Sequence, residues 1–327
     1  MAPPSPPPPP PPTHNHKVPE NVALKALTPK RTRVEVSSSA SGSSWPLLKL
    51  PPLRGHTARG RLRLVDSYLN SKRALGRCKV VVDVGFGDAP WTALELADNL
   101  PAGAILYATD IVEDRVARAD AYDAHPNVDV RFVVADASFA LPAESGAPEL
   151  VRCCNVLRDL HAFDAAAALC AMHVQLAGAD AVLVEASTDA TGTLAFALVL
   201  RGSASAGGNA SVSEVVFAVD ECATADGAPP SWFEAHLFPR AFAAYAPAER
   251  ELGGRDILLK MLEAWRAVCL ESELSDEPVV RFDQSATRLA GTPGCVPGVV
   301  ETVGRGVLVW RPGDGVLQVP TYHPRKV

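Results

Sequence analysis

The pattern of apolar and polar positions divides the chain before composition is considered. Residues 1–44 carry no periodic apolar signal; seven prolines at 6–12 lead towards serine-rich stretches at 37–39 and 41–44. Proline offers no amide donor and favours an extended conformation, and a serine-rich stretch buries too little apolar area to offset its ordering entropy. This arm is expected to be disordered. In 61–75 (RLRLVDSYLNSKRAL), Leu62, Val65, Tyr68 and Leu69 recur at helical spacing, so 45–77 reads as a helical lead-in.

From residue 78 the pattern alternates. Apolar, partly β-branched runs at 79–84, 104–109, 128–135, 149–155 and 181–186 predict strands, and periodic segments at 91–99, 113–121 and 163–176 predict the helices between them. Such alternation implies a parallel sheet with helices on both faces, with ligands bound beyond the carboxyl ends of the strands. Those ends are polar: Asp83, Asp110, Asp136, Asn155 and Glu185. The expected fold class is therefore α/β, a doubly wound Rossmann-like sheet at 78–220, with additions at 221–327. In the later part, 193–200 reads as a helix, 212–219 as a strand, and 231–245 and 256–270 as helices. A hairpin is expected between 306–310 and 316–319 around Pro-Gly and Asp-Gly turns.

Composition narrows the class. The 327 residues are 47% hydrophobic, enough for a real core, yet no apolar run approaches the ~20 residues of a membrane span. A protein without a membrane segment is expected, and a cytoplasmic location is preferred. Seven cysteines show no metal-type spacing, and adjacent Cys153 and Cys154 should face opposite sides of a strand as reduced thiols. No metal site is expected. The first 77 residues hold 13 Lys/Arg against 3 Asp/Glu, whereas the remainder holds 18 against 34. A basic arm of this kind can contact nucleic acid or serve organellar import.

The segment 80–90, VVVDVGFGDAP, is a strand, a Gly-x-Gly turn and a helix start. Dinucleotide enzymes share that outline, but Pro90 stands where their third glycine belongs, and Asp83 and Asp88 bracket the turn with negative charge. A pyrophosphate prefers a bare helix N-terminus. A ligand carrying ammonium and sulfonium groups suits these acids better, which favours S-adenosylmethionine (AdoMet) over NAD. Asp110 could hold ribose hydroxyls, and Asp136 an adenine amino group.

The chain resembles class I AdoMet-dependent methyltransferases through VVVDVGFGDAP, ILYATD (105–110), VRFVVADASFALP (130–142) and PELVRCCNVLRDL (148–160). It is most similar to a little-characterised actinobacterial-type group, in which a helix like that at 55–66 (GHTARGRLRLVD) precedes the turn. It departs from that group at Gly60, where Asn is usual. The resemblance implies that Gly85 and Gly87 let the backbone approach the methionine moiety and that Asp83 lies near its ammonium. It also implies that Asp110 holds the ribose and Asp136 the adenine amine. Asn155, Arg158 and Glu185 are the candidates on the substrate side, with Asp159 and His161 beside them. The methyl acceptor is not specified, a small molecule being preferred over a macromolecule. A catalytically silent binding protein of the same fold and an NAD(P)-dependent oxidoreductase stand as alternatives.

Overall fold

The computed structural model describes residues 55–313, apart from 73, 123, 138, 161, 203–210, 225–226, 237–253, 272, 293 and 295. The arm at 1–44, the second half of the expected helix at 231–245, the expected strand at 316–319 and His161 lie outside the described residues.

Helix α1 (Arg63–Ser71) precedes β1 (Val80–Val84), α2 (Trp91–Ala97), β2 (Ile105–Asp110), α3 (Glu113–Ala119) and β3 (Asp129–Val134). Then follow β4 (Leu150–Cys154), α4 (Ala162–His173), β5 (Val182–Thr188), β6 (Leu194–Arg201) and β7 (Val212–Val219). Helices α5 (Pro229–His236), α6 (Gly254–Leu270) and α7 (Pro278–Ala290) lead to β8 (Val299–Thr302) and β9 (Val307–Arg311). Among the described residues these strands form one nine-stranded sheet in the order β3-β2-β1-β4-β5-β6-β7-β9-β8. The first five are parallel, and every pairing from β5 to β8 is antiparallel. The expected doubly wound α/β class is the one observed.

Alternation along each strand builds two cores. Val82, Val84, Val151, Cys153 and Leu183 face α4 and the helices α5–α7, where Phe217, Phe233, Trp265 and Phe282 meet edge to face. Val81, Leu150, Cys154 and Val184 face the opposite way, with Val65, Tyr68 and Leu69 of α1 and Ala93 and Leu96 of α2. Cys153 and Cys154 thus belong to different cores, as strand geometry requires. Val65, Tyr68 and Leu69 of α1 are buried together with Asp66; Arg63 and Leu64 are half-buried, and Ser67, Asn70 and Ser71 lie outward.

Two expectations change. The stretch 193–200 is strand β6, not a helix, because the turn before it sets a hairpin: the Asp189 carboxylate accepts the Leu194 amide at 2.8 Å and the hydroxyls of Thr191 and Thr193. Gly192 sits there at φ 70°, and a Cβ would come within 2.4 Å of the Arg61 carbonyl oxygen. An unbroken apolar run reads equally as helix or strand, and only its flanking turn chemistry separates them. Second, β9 is held by β7 and β8 on its two sides, so the described hairpin partner of 307–311 precedes it in sequence. The additions after residue 220 therefore extend the same sheet.

Candidate functional site

Beyond the carboxyl ends of β1, β2 and β4 lies a cleft of about 860 Å³, its open mouth included. Its floor is the β1–α2 turn. Gly85 and Gly87 adopt φ of 79° and 84°, a region that costs an L side chain ~1–2 kcal/mol. Space forbids a side chain as well: a Cβ would lie 2.5 Å from Val156 Cγ2 at Gly85, and 2.6 Å from the Gly55 carbonyl oxygen at Gly87. The Gly85 and Phe86 amides both donate to the Thr109 carbonyl, at 2.8 and 3.2 Å, which fixes the turn on the end of β2.

Asp110, at the end of β2, is wired into that turn. Its Oδ2 accepts the Gly87 amide at 3.0 Å, and its Oδ1 accepts the Val112 amide at 2.9 Å. Arg115 of α3 reaches the same Oδ1 at 3.4 Å and donates to Asp88 at 2.9 Å. The acid at position 88 is therefore ion-paired, and its charge no longer distinguishes a cationic ligand from a pyrophosphate. Asp136, just past β3, lines the cleft together with Asp83, Gly85, Gly87 and Asp110.

Asp83 carries the stronger electrostatic signal. In the parallel pairing of β1 with β4 it stands opposite Arg152, a guanidinium with 0% exposure. Arg152 donates from Nε to Asp83 Oδ1 at 2.8 Å, from Nη1 to Asp66 Oδ1 of α1 at 2.6 Å, and from Nη2 to the Thr92 carbonyl at 2.8 Å. Burial opposes the Arg152 charge, yet the two carboxylates hold it protonated well above its ordinary range; burial pushes Asp66 upwards against the pull of Arg152. Asp83 Oδ2 is buried and has no hydrogen-bond partner among the described residues. Sequence reasoning missed Asp66 and Arg152, although a lone cation inside the apolar run 149–155 was a visible signal.

On the far side of the cleft, Asn155 follows β4 at φ 61°, the one left-handed non-glycine residue among those described. It clasps the end of β5: its backbone amide donates to the Ala186 carbonyl at 2.8 Å, its Oδ1 accepts the Thr188 amide at 2.8 Å, and its Nδ2 donates to Thr188 Oγ1 at 3.0 Å. Arg158 donates to the Thr188 carbonyl at 2.9 Å, and both residues line the cleft. Glu185 does not. Strand β5 runs on to Thr188, so Glu185 is mid-strand, opposite Cys153 on the sheet face away from Arg152. Neither of its oxygens, nor Ser187 Oγ two residues on, has a partner among the described residues. Burial pushes the Glu185 carboxyl up to about 8, against the opposing charge of Arg158. The side chain of Asp159 is not among those described.

The segment before α1 spans the mouth. The Gly55 carbonyl accepts the Asp88 amide at 2.7 Å, the Gly60 amide donates to Glu95 at 2.8 Å, and Arg61 reaches the Asp189 carbonyl at 3.3 Å. Gly55, His56, Thr57, Arg61 and Leu62 all line the cleft. Among the described residues no group of three or more His, Cys, Asp or Glu could hold a metal ion, and no helix is long and apolar enough to cross a membrane.

No protein-family model matches the sequence, and no curated protein is significantly similar to it. Structural similarity is found to magnesium protoporphyrin IX methyltransferase of Synechocystis PCC 6803 with bound SAH, at 23% identity over 38% of this chain and 53% of that one, with a TM-score of 0.30. This chain thus spans about half the length of that enzyme. The N-methyltransferase NodS of Bradyrhizobium japonicum WM9 is similar at 17% identity over 39% of this chain and 68% of that one, TM-score 0.29. The PH0226 protein of Pyrococcus horikoshii OT3 is similar at 15% over 44% and 74%, TM-score 0.32.

Proposed function

We propose that this chain binds AdoMet in the cleft above β1, β2 and β4 and transfers its methyl group to an acceptor entering past Asn155 and Arg158. The observation that carries the reading is the convergence of Asp83, Asp110 and Asp136, from the ends of three strands, on one cleft with a turn that no Cβ can enter. The buried, unpartnered oxygen of Asp83 suits an ammonium group, since a buried charge is stable only when paired. Asp110 would accept a ribose hydroxyl, as its Oδ2 keeps acceptor capacity beyond the Gly87 amide it holds, and Asp136 would accept the adenine amine.

When bound, AdoMet supplies an activated methyl group on a sulfonium, so positioning of the acceptor can carry much of the rate. Arg158 and the Asn155 clasp would form the wall along which the acceptor lies, and the segment 55–62 would limit water at the mouth. A small-molecule acceptor is the preferred class. Calorimetric titration with AdoMet, S-adenosylhomocysteine and NAD tests the reading: heat from the first two alone supports it, and saturable NAD binding without either overturns it.

A further inference from the structure

Asp66 and Arg152 do not line the cleft, yet both reach it through Asp83. The Arg152 guanidinium is saturated on three sides by Asp83, Asp66 and the Thr92 carbonyl. It therefore fixes the Asp83 carboxylate with one oxygen occupied and the other unpartnered. Two carboxylates share one guanidinium at full burial, and the unbalanced negative charge is left on a residue of the cleft wall. A carboxylate in such a place is stable only when paired or hydrogen-bonded and otherwise takes up a proton, and a ligand cation meets the first requirement.

We propose that Asp66 and Arg152 are positioning residues for the ammonium group of the bound donor, acting through Asp83. The inference rests on the reading of the cleft as an AdoMet site. Arg152 orients the acceptor oxygen, and Asp66 keeps the cluster one carboxylate in excess, so that the cleft discriminates for a cationic amino-acid portion. Because Asp66 belongs to α1, ligand binding and the docking of α1 are linked through one guanidinium, and the linkage is reciprocal.

The test uses the full chain, S-adenosylhomocysteine, and the analogue in which hydrogen replaces its α-ammonium. Calorimetry of the wild type should show the ammonium form preferred by on the order of ten- to a hundredfold, the range of a hydrogen bond to a charged group. Asp66→Asn should narrow that preference at least threefold while leaving the analogue's affinity unchanged. The apolar pair Asp66→Leu with Arg152→Met keeps one carboxylate in excess, on Asp83, but removes the guanidinium that orients it, and should narrow the preference for that separate reason. Equal weakening of both ligands in the variants, or an unaltered ratio, means that the cluster is only a structural clamp and overturns the proposal. If the wild type binds neither ligand, the functional reading itself fails; if it binds both equally, that reading stands and this inference fails. As a second readout, S-adenosylhomocysteine should slow amide exchange in residues 63–71 of the wild type but not of Asp66→Asn.

Discussion

Asn155 holds Thr188 at both ends of its side-chain amide, with the Thr188 amide 2.8 Å from Oδ1 and the Thr188 hydroxyl 3.0 Å from Nδ2. The clasp joins the ends of two neighbouring parallel strands at the wall of the cleft. Its backbone is left-handed, a conformation asparagine tolerates and alanine does not. Asn155→Ala should therefore lose both the strain tolerance and the hydrogen bonds, for a cost of about 2–3 kcal/mol. Asn155→Gly, which loses only the bonds, should cost less. Urea denaturation of both variants checks this, and equal stability of the alanine variant and the wild type would contradict it.

At Gly85 the obstacle has two separable parts, the positive φ and the contact with Val156. Gly85→Ala should lower both thermal stability and S-adenosylhomocysteine affinity. Adding Val156→Ala removes the contact but not the strain, so the double variant should recover part of the loss and retain a deficit of ~1–2 kcal/mol. Full recovery would mean that the backbone conformation is not required.

Glu185 makes stability depend on pH in a defined sense. Its folded-state carboxyl lies near 8 against 4.5 for the free group. The unfolded chain therefore releases this proton first, and the contribution of Glu185 to stability is complete below about 4.5, lost as pH rises towards 8, and constant above that. Glu185→Gln should remove this fall, making the variant more stable relative to wild type at pH 9 than at pH 4, by on the order of a few kcal/mol. Melting curves of both proteins across that range test it; parallel profiles would be the contrary result.

Asp88 and Asp110 share Arg115 but should behave differently. Asp88 is 47% exposed, and an exposed pair is worth about 1 kcal/mol or less. Asp88→Asn should leave S-adenosylhomocysteine affinity within about threefold, the factor that ~0.6 kcal/mol represents. Asp110→Ala leaves the Gly87 and Val112 amides without their acceptor and should abolish detectable binding while the chain still folds, as judged by circular dichroism. Loss of binding in the first variant, or its retention in the second, would reverse the roles assigned to the two acids.

The parallel half of the sheet was legible because β-branched runs ended in acids and glycines at strand spacing. Asp83, Asp110 and Asp136 could be named from those endings, and all three line one cleft. The hairpin at β6 was not legible, since 194–200 is apolar on every face and its direction is set by the side chain of Asp189 shortly before it. Asp66 was hidden for a different reason. Its partner Arg152 is 86 residues away in sequence, and an acid within an amphipathic helix looks like a solvated charge until its neighbour is known. The placement of Glu185 shifted because β5 runs two residues beyond its expected end.

Strand β9 lies between β7 and β8, with Val309 and Trp310 fully buried. The ribosome delivers it after every other described strand, so during synthesis the outer side of β7 waits uncovered for residues 307–311. A nascent chain halted before Val307 would present that backbone edge, together with the apolar surface that Trp310 covers, to any neighbouring chain. Premature termination in this region should therefore yield insoluble protein, even though the residues of the cleft have already been made.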